Sequence, residues 1–348
     1  MNVSQKLMHL AAVGFGKLPE KIHRKLAGKP VTVAGQELHP SVKLALLALN
    51  SGGPTFETKP LVEGRAELSA ESAIFGTEAK LEKVEDFLVP GAEGKIPARL
   101  YVPGTYAPLK RDGLVVYMHG GGWVLGGLES ADAMCRSFAR KTGFTVISLD
   151  YRLAPENPFP AGVDDCLAAF RWIRDNAEQF GASADRILLG GESAGGNLTC
   201  VLAQLLRDEQ GPVVAFPIFP VTDLSKKSES YTLFSTGYFL TEAQMDWYKN
   251  HYLVDPELAL DRRVSPLLAT DEELQGLCPH VVSVAGFDPL RDEGLAYAKR
   301  LEEAGVSAKT ILFEGFIHGF INATAMGAPI ESRIAQIADA VVEIYDAL

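Results

Sequence analysis

The stretch Arg186-Ile187-Leu188-Leu189-Gly190-Gly191-Glu192-Ser193-Ala194-Gly195-Gly196 decides how this chain is read. A short apolar run, Arg186 to Leu189, passes into a glycine-rich turn and then into a helical pattern from Asn197 to Asp208. Within the turn, Gly191-x-Ser193-x-Gly195 fits the G-x-S-x-G pattern, which gains meaning only between a strand and a helix. A serine on so sharp a turn has strained backbone angles and close neighbours, so residues without side chains permit the turn and expose Oγ. The new helix also points its N-terminus at the site, which favours developing negative charge. Taken without its flanks, the pattern is equally a glycine turn with no chemistry.

Working back along the chain, His119-Gly120-Gly121-Gly122-Trp123 follows the apolar run Leu114 to Met118 directly. Successive glycines let backbone N–H groups approach a ligand atom closely, as an oxyanion hole requires. Gly120, Gly121 and Gly122 are the candidate donors on this loop, and Ala194, the residue after the serine, supplies the other half. A phosphate-binding loop competes for the same glycines, but neither cluster contains GxxxxGK[ST] or GxGxxG.

A serine needs a base and the base an orienting acid, in the chain order Ser, Asp or Glu, His. Three histidines lie beyond Ser193. His251 falls in an irregular interval and His280 at the start of a strand, whereas His318 follows the last predicted strand at the sheet edge that the serine shares. A purely structural histidine is the alternative for His318. Asp288 sits just off the run Val281 to Ala285 and is the preferred acid. Asp292 is held in reserve, since it and Glu293 read as first-turn helix residues. Glu192, beside the nucleophile, points away from it and is assigned hydrogen-bonding support.

Around these motifs, apolar runs at Thr145 to Leu149, Val213 to Phe219 and Lys309 to Phe313 alternate with amphipathic patterns at Gly162 to Phe180, Glu293 to Ala304 and Ile330 to Asp346. The βαβα order predicts an α/β fold, a doubly wound and mostly parallel sheet flanked by helices. Two segments stand apart. Residues 1–60 carry helical spacing, as in Val42, Ala45, Leu46 and Leu49, until Ser51-Gly52-Gly53-Pro54 stops it. Residues 223–264 mix polar and aromatic side chains, with a helical pattern from Thr241 to Leu253. The expected division is an N-terminal helical cap arm (1–60), a first core part (61–222), a cap insertion (223–264) and a second core part (265–348).

The chain of 348 residues can bury a large core without staples, and 33 Lys plus Arg against 44 Asp plus Glu give a net charge of −11. That balance argues against a broad basic surface and hence against nucleic-acid binding. Cys135, Cys166, Cys200 and Cys278 are scattered, without CxxC pairs or zinc-finger spacing, so they read as reduced packing residues and no metal is expected. No apolar run reaches the length of a membrane span, and His9 interrupts the only stretch resembling a signal sequence. A cytoplasmic location follows as the default.

With these residues in place, the chain resembles the hormone-sensitive-lipase-like group of α/β-hydrolases, the bacterial family IV esterases. The resemblance covers roughly residues 80 to 348. It rests on His119 to Trp123, on Asp150-Tyr151-Arg152-Leu153-Ala154-Pro155-Glu156 with Phe159-Pro160-Ala161, on Gly191 to Gly196, on Asp288 to Gly294, and on His318-Gly319-Phe320. The arm from Leu38-His39-Pro40 onward is similar to the family's N-terminal cap helices, and Glu192 stands where many relatives have Asp.

The resemblance implies an α/β-hydrolase fold with a helical cap and hydrolysis of short- to medium-chain carboxylic esters, without metal or organic cofactor. It further implies oxyanion donors at Gly121, Gly122 and Ala194, with Gly120 a weaker candidate and His119 shaping the loop. The expected partners are a small-molecule ester and water, with a homodimer through an exposed final strand or helix also in view. Two other readings share these residues: an amidase or deacetylase using the same triad, and a ligand-binding relative that has retired its catalysis. All three triad positions being occupied weighs against the second.

Overall fold

Five wholly buried runs, Leu114–Met118, Thr145–Leu149, Ile187–Glu192, Val214–Ile218 and His280–Phe287, make up the middle of one eight-stranded sheet. The structure, a computed structural model, describes residues 1–50 and 55–348. The expected helix stop at Ser51-Gly52-Gly53-Pro54 therefore lies outside the described residues.

In chain order, α1 (Val3–Gly16) and α2 (Glu20–Ala27) precede a small hairpin of β1 (Thr32–Val33) and β2 (Gln36–Glu37), then α3 (Pro40–Leu49) and α4 (Leu61–Phe75). The main sheet begins with β3 (Lys83–Gly91) and β4 (Gly94–Val102). It continues through β5 (Leu114–Met118), α5 (Leu128–Thr142), β6 (Thr145–Leu149), α6 (Ala161–Asp175), β7 (Ile187–Glu192), α7 (Ala194–Leu205) and β8 (Val214–Ile218). After the short helices α8 (Glu229–Leu233), α9 (Glu242–Tyr252) and α10 (Asp271–Leu274), the chain returns with β9 (His280–Phe287), α11 (Arg291–Glu303), β10 (Ala308–Ile317) and α12 (Ala328–Asp346).

The strand order is β10-β9-β8-β7-β5-β6-β4-β3. Pairing is parallel from β10 to β6, with Val116 opposite both Ile147 and Leu189; β4 alone runs against the other strands, pairing antiparallel with both β6 and β3. Because strand side chains alternate between faces, the sheet divides the interior into two cores. Leu114, Val116 and Met118 face Val163, Phe170, Ile173 and Leu198 of α6 and α7. Val115 and Tyr117 face Met134 and Phe138 of α5 and Ile334, Ile337 and Val341 of α12.

The apolar periodicity placed the central strands within one to three residues. It did not mark the β3–β4 hairpin, whose edge strand is largely solvent-facing, nor α4 and α5. Helix α9 starts where the pattern predicted it, with Thr241 as N-cap accepting the Gln244 N–H and Gln244 bonding back to Thr241.

The N-terminal arm and the 223–264 insertion meet. Asn50 Nδ2 donates to the Gly237 carbonyl at 3.1 Å and Gln244 Nε2 to Glu57 at 3.1 Å. The Phe56 ring packs against Trp247 and Tyr248, with centroids 5.5 and 5.4 Å apart. Helix α1 lies on α4, which lies on α5. No helix among the described residues is long and apolar enough to cross a membrane.

Candidate active site

At the carboxyl end of β7 the chain turns into α7 through Ser193, whose φ of 58° and ψ of −117° lie in a region that side chains rarely adopt. The turn is held from outside. The Ser193 N–H donates to Ile218 at 2.9 Å, and a Cβ on Gly195 would strike the Met118 carbonyl, so only glycine fits there. The helix begins at Ala194, with no residue intervening between nucleophile and helix.

Two further strands deliver their ends to the same edge. Beyond β9, Asp288 is fully buried; its Oδ1 accepts the Leu290 N–H at 2.9 Å and its Oδ2 accepts from His318 Nδ1 at 2.7 Å. Beyond β10, His318 turns its Nε2 to Ser193 Oγ at 2.8 Å. With Nδ1 protonated toward the carboxylate, Nε2 is left to accept the serine O–H. Phe219, at φ 33°, packs its ring 4.7 Å from the imidazole and holds it in place. Ser193, Asp288 and His318 are thus brought together.

The alternatives are placed elsewhere. Asp292 accepts the Ser230 N–H at 2.8 Å and pairs with Arg291. His251 bonds to the Trp247 carbonyl on α9, and His280 is buried against the Cys278 carbonyl, where burial lowers its pKa to about 4.

Facing the serine, the glycine loop takes two turns into left-handed backbone, with φ 108° at Gly121 and 61° at Gly122. Neither of these amides, nor that of Ala194, donates to a protein acceptor among the described residues. Gly120 is different: its N–H is committed to Glu192 Oε1 at 2.9 Å. Gly120 therefore drops out as an oxyanion donor, because its single proton points behind the loop instead of into the site.

Glu192 has the support position expected of it, with partners that its sequence neighbours do not reveal. The same Oε1 accepts from Asn322 Nδ2 at 3.3 Å, and burial pushes the carboxyl above its ordinary range. Asn322, four residues after His318, carried no sequence signal.

His119 braces the loop at its root. Its Nδ1 donates to the Gly120 carbonyl at 2.7 Å, its ring stacks on Tyr151 at 4.4 Å, and the Tyr151 hydroxyl donates to the His119 carbonyl at 2.8 Å. Burial holds this imidazole below its usual pKa. Trp123 is buried and stacked on Tyr252 at 4.2 Å, as a packing residue. Tyr248 of α9 lies directly over Gly122, so closely that a Cβ on the glycine would enter its ring. Phe239 of the insertion sits beside Gly319, next to His318.

A nucleophile with a base, a buried acid and three free amides is a device for acyl transfer. The family model described as alpha/beta hydrolase fold matches residues 115–322, from β5 through the segment holding His318. The chain belongs to the α/β-hydrolase family. Within it, the hormone-sensitive-lipase-like group anticipated from the motifs is the group found.

Among α/β-hydrolases the chain is 42% identical over 314 residues to the carboxylic ester hydrolase LipN of Mycobacterium tuberculosis, covering 86% of this chain and 81% of the relative. It is 36% identical over 274 residues to an ethyl acetate hydrolase of Pseudomonas putida, covering 77% and 85%. An ester hydrolase from the metagenome of Lake Arreo, solved with a bipyridine phosphonate derivative, superposes with a TM-score of 0.82 at 41% identity. That likeness covers 88% of this chain and 98% of the other.

Proposed function

We propose that this α/β-hydrolase is a serine carboxylesterase acting on short- to medium-chain esters through an acyl-enzyme on Ser193. The observation that carries the reading is the unbroken chain Asp288–His318–Ser193, at 2.7 and 2.8 Å, beside the free amides of Gly121, Gly122 and Ala194. The names of the relatives, ester hydrolases among them, support it.

In the mechanism, Ser193 Oγ attacks the ester carbonyl as His318 Nε2 takes its proton, and Asp288 stabilises the imidazolium through Nδ1–H. The oxyanion receives the N–H groups of Gly121, Gly122 and Ala194, at the N-terminus of α7. His318 then protonates the leaving alcohol, and water resolves the acyl-enzyme by the reverse route. The arm and the insertion act as one cap. Phe56, Trp247, Tyr248 and Phe239 crowd the space above Gly122 and Gly319, which supports a limit on acyl length.

The test is hydrolysis of p-nitrophenyl esters from acetate to palmitate by the native protein and by Ser193→Ala. Turnover confined to the shorter esters and lost in the variant is expected; equal rates in both proteins sink the assignment. The four cysteines are unpaired, which supports a cytoplasmic location, tested by cell fractionation. The first half of β10, at the end of the sheet, is exposed or half-buried and suits pairing with a second copy, and a molar mass twice 37.5 kDa by light scattering is the expected sign of that homodimer.

A further inference from the structure

Helix α1 packs through one side only. Ala12 and Gly16 are buried against α4 and the segment around Met326, and His9 Nδ1 bonds to the Ile74 carbonyl at 2.9 Å. The opposite side is apolar and open to solvent: Val3, Leu7 and Leu10, spaced i, i+4, i+7 along one stripe, are 76%, 63% and 65% exposed. Leu18 and Leu26, in the next turn and in α2, are exposed as well. A stripe of this size gains nothing from water, and the other described residues leave it uncovered.

The charge of this region runs against the whole molecule. Residues 1–30 hold six Lys and Arg against a single acid, Glu20, in a chain whose net charge is −11. Glu20 is taken by Arg24, while Lys6, Lys17, Lys21, Lys25 and Lys29 pair with no carboxylate among the described residues. Lys6 and Lys17 fall on the line beside the Val3–Leu7–Leu10 stripe, at helical spacing from one another. Leucines on an open face, flanked by unpaired lysines, are the arrangement by which a helix lies in the plane of an anionic lipid surface.

From this juxtaposition we infer that α1 with its flanking lysines is a peripheral docking surface for anionic lipid membranes. The acyl boundary takes Val3, Leu7 and Leu10, and the headgroups meet Lys6 and Lys17. The docked helix is tied to the site by short steps: α1 rests on α4, Phe56 covers Gly64 of α4, and Phe56 in turn packs on Tyr248 above Gly122. An ester dissolved in the lipid would thus be met by the cap side of the molecule. A second copy of the chain fits the leucines but not the lysines, since two like-charged arms would face each other.

The experiment is flotation of the full chain with vesicles of pure phosphatidylcholine and of phosphatidylcholine containing phosphatidylglycerol. Binding only to the anionic vesicles, weakened by salt, is expected. Leu7→Ser with Leu10→Ser should abolish it. Lys6→Gln with Lys17→Gln should lower the partition coefficient on the order of twentyfold, at about fivefold per lysine. Turnover of p-nitrophenyl acetate in solution should be unchanged in both pairs, which shows that they fold and keeps this result separate from the esterase reading. Protein that stays unbound with anionic vesicles, or binding that neither pair weakens, overturns the inference. So does a native dimer that the serine pair converts to monomer, since the stripe is then covered by a second copy.

Discussion

Glu192 reaches across the site to Gly120, accepting its backbone N–H at 2.9 Å from 72 positions away in the chain. The side chain thus fixes the plane of the peptide just before the amides of Gly121 and Gly122. Glu192→Ala leaves that buried N–H without a partner, which costs about 1–3 kcal/mol of stability and lets the loop shift. Since a displacement near 1 Å at a catalytic group lowers rate on the order of a hundredfold, kcat should fall by that much while KM moves little. Glu192→Gln keeps an acceptor oxygen and should stay within about fivefold of the native protein. Steady-state kinetics and thermal melts on both variants check this, and equal losses would show that charge, not the bond to Gly120, is what counts.

Asp288 and Asp292 separate cleanly in their contacts. Asp288→Asn places an amide where His318 Nδ1–H needs an acceptor, so kcat should fall on the order of ten-thousandfold with the fold intact. Asp292→Asn alters contacts to Ser230 and Arg291 only and should leave kcat nearly unchanged. A comparable loss in both would move the acid away from Asp288.

Gly121 and Gly122 exclude a side chain for different reasons. At Gly122 the obstacle is the Tyr248 ring; at Gly121 it is the backbone at Leu125. Gly122→Ala should lower kcat on the order of a hundredfold by displacing an oxyanion donor, and adding Tyr248→Ala should recover part of that loss. The same second change should not rescue Gly121→Ala. A double-mutant cycle on kcat/KM reads both expectations.

Glu71 of α4 is largely buried, and that burial first and the neighbouring Glu67 second raise its pKa from 4.5 to about 7. The folded carboxyl keeps its proton to about pH 7 while the unfolded one loses it near 4.5. The resulting stabilisation is present below 4.5 and is lost as pH rises through 7. Discounted for partial exposure, the loss amounts to about 2 kcal/mol. Glu71→Gln should therefore be more stable than the native protein by that amount at pH 8 and equal to it at pH 4. Urea unfolding at the two pH values decides, and a difference independent of pH would assign the effect to packing.

Much of this is legible in the sequence because burial on both faces of a strand leaves few residue choices. Leu114–Met118 and Thr145–Leu149 are unmistakable apolar runs, and both proved to be strands at those bounds. The turn at Ser193 was equally plain, since glycine is forced wherever backbone passes close, as Gly195 does beneath Met118. Edge and surface elements left weaker traces. The β3 strand faces solvent along much of its length, and α5 packs through Ala, Ser and Cys as much as through large apolar residues. The commitment of the Gly120 amide was hidden for another reason: it depends on a contact between distant segments, and a glycine's spacing carries no record of where its proton points.

The insertion leaves the sheet at the end of β8 and comes back at the start of β9, and these two strands are neighbours. Its ends are therefore fixed points on adjacent parallel strands, one at the carboxyl edge of the sheet and the other at its amino edge, whatever lies between them. Segments of other lengths and compositions can be spliced between those points without changing the register of any strand or moving Ser193, Asp288 or His318. Substrate range and chemistry in this molecule are thus separately inheritable, one free to drift while the other stands still.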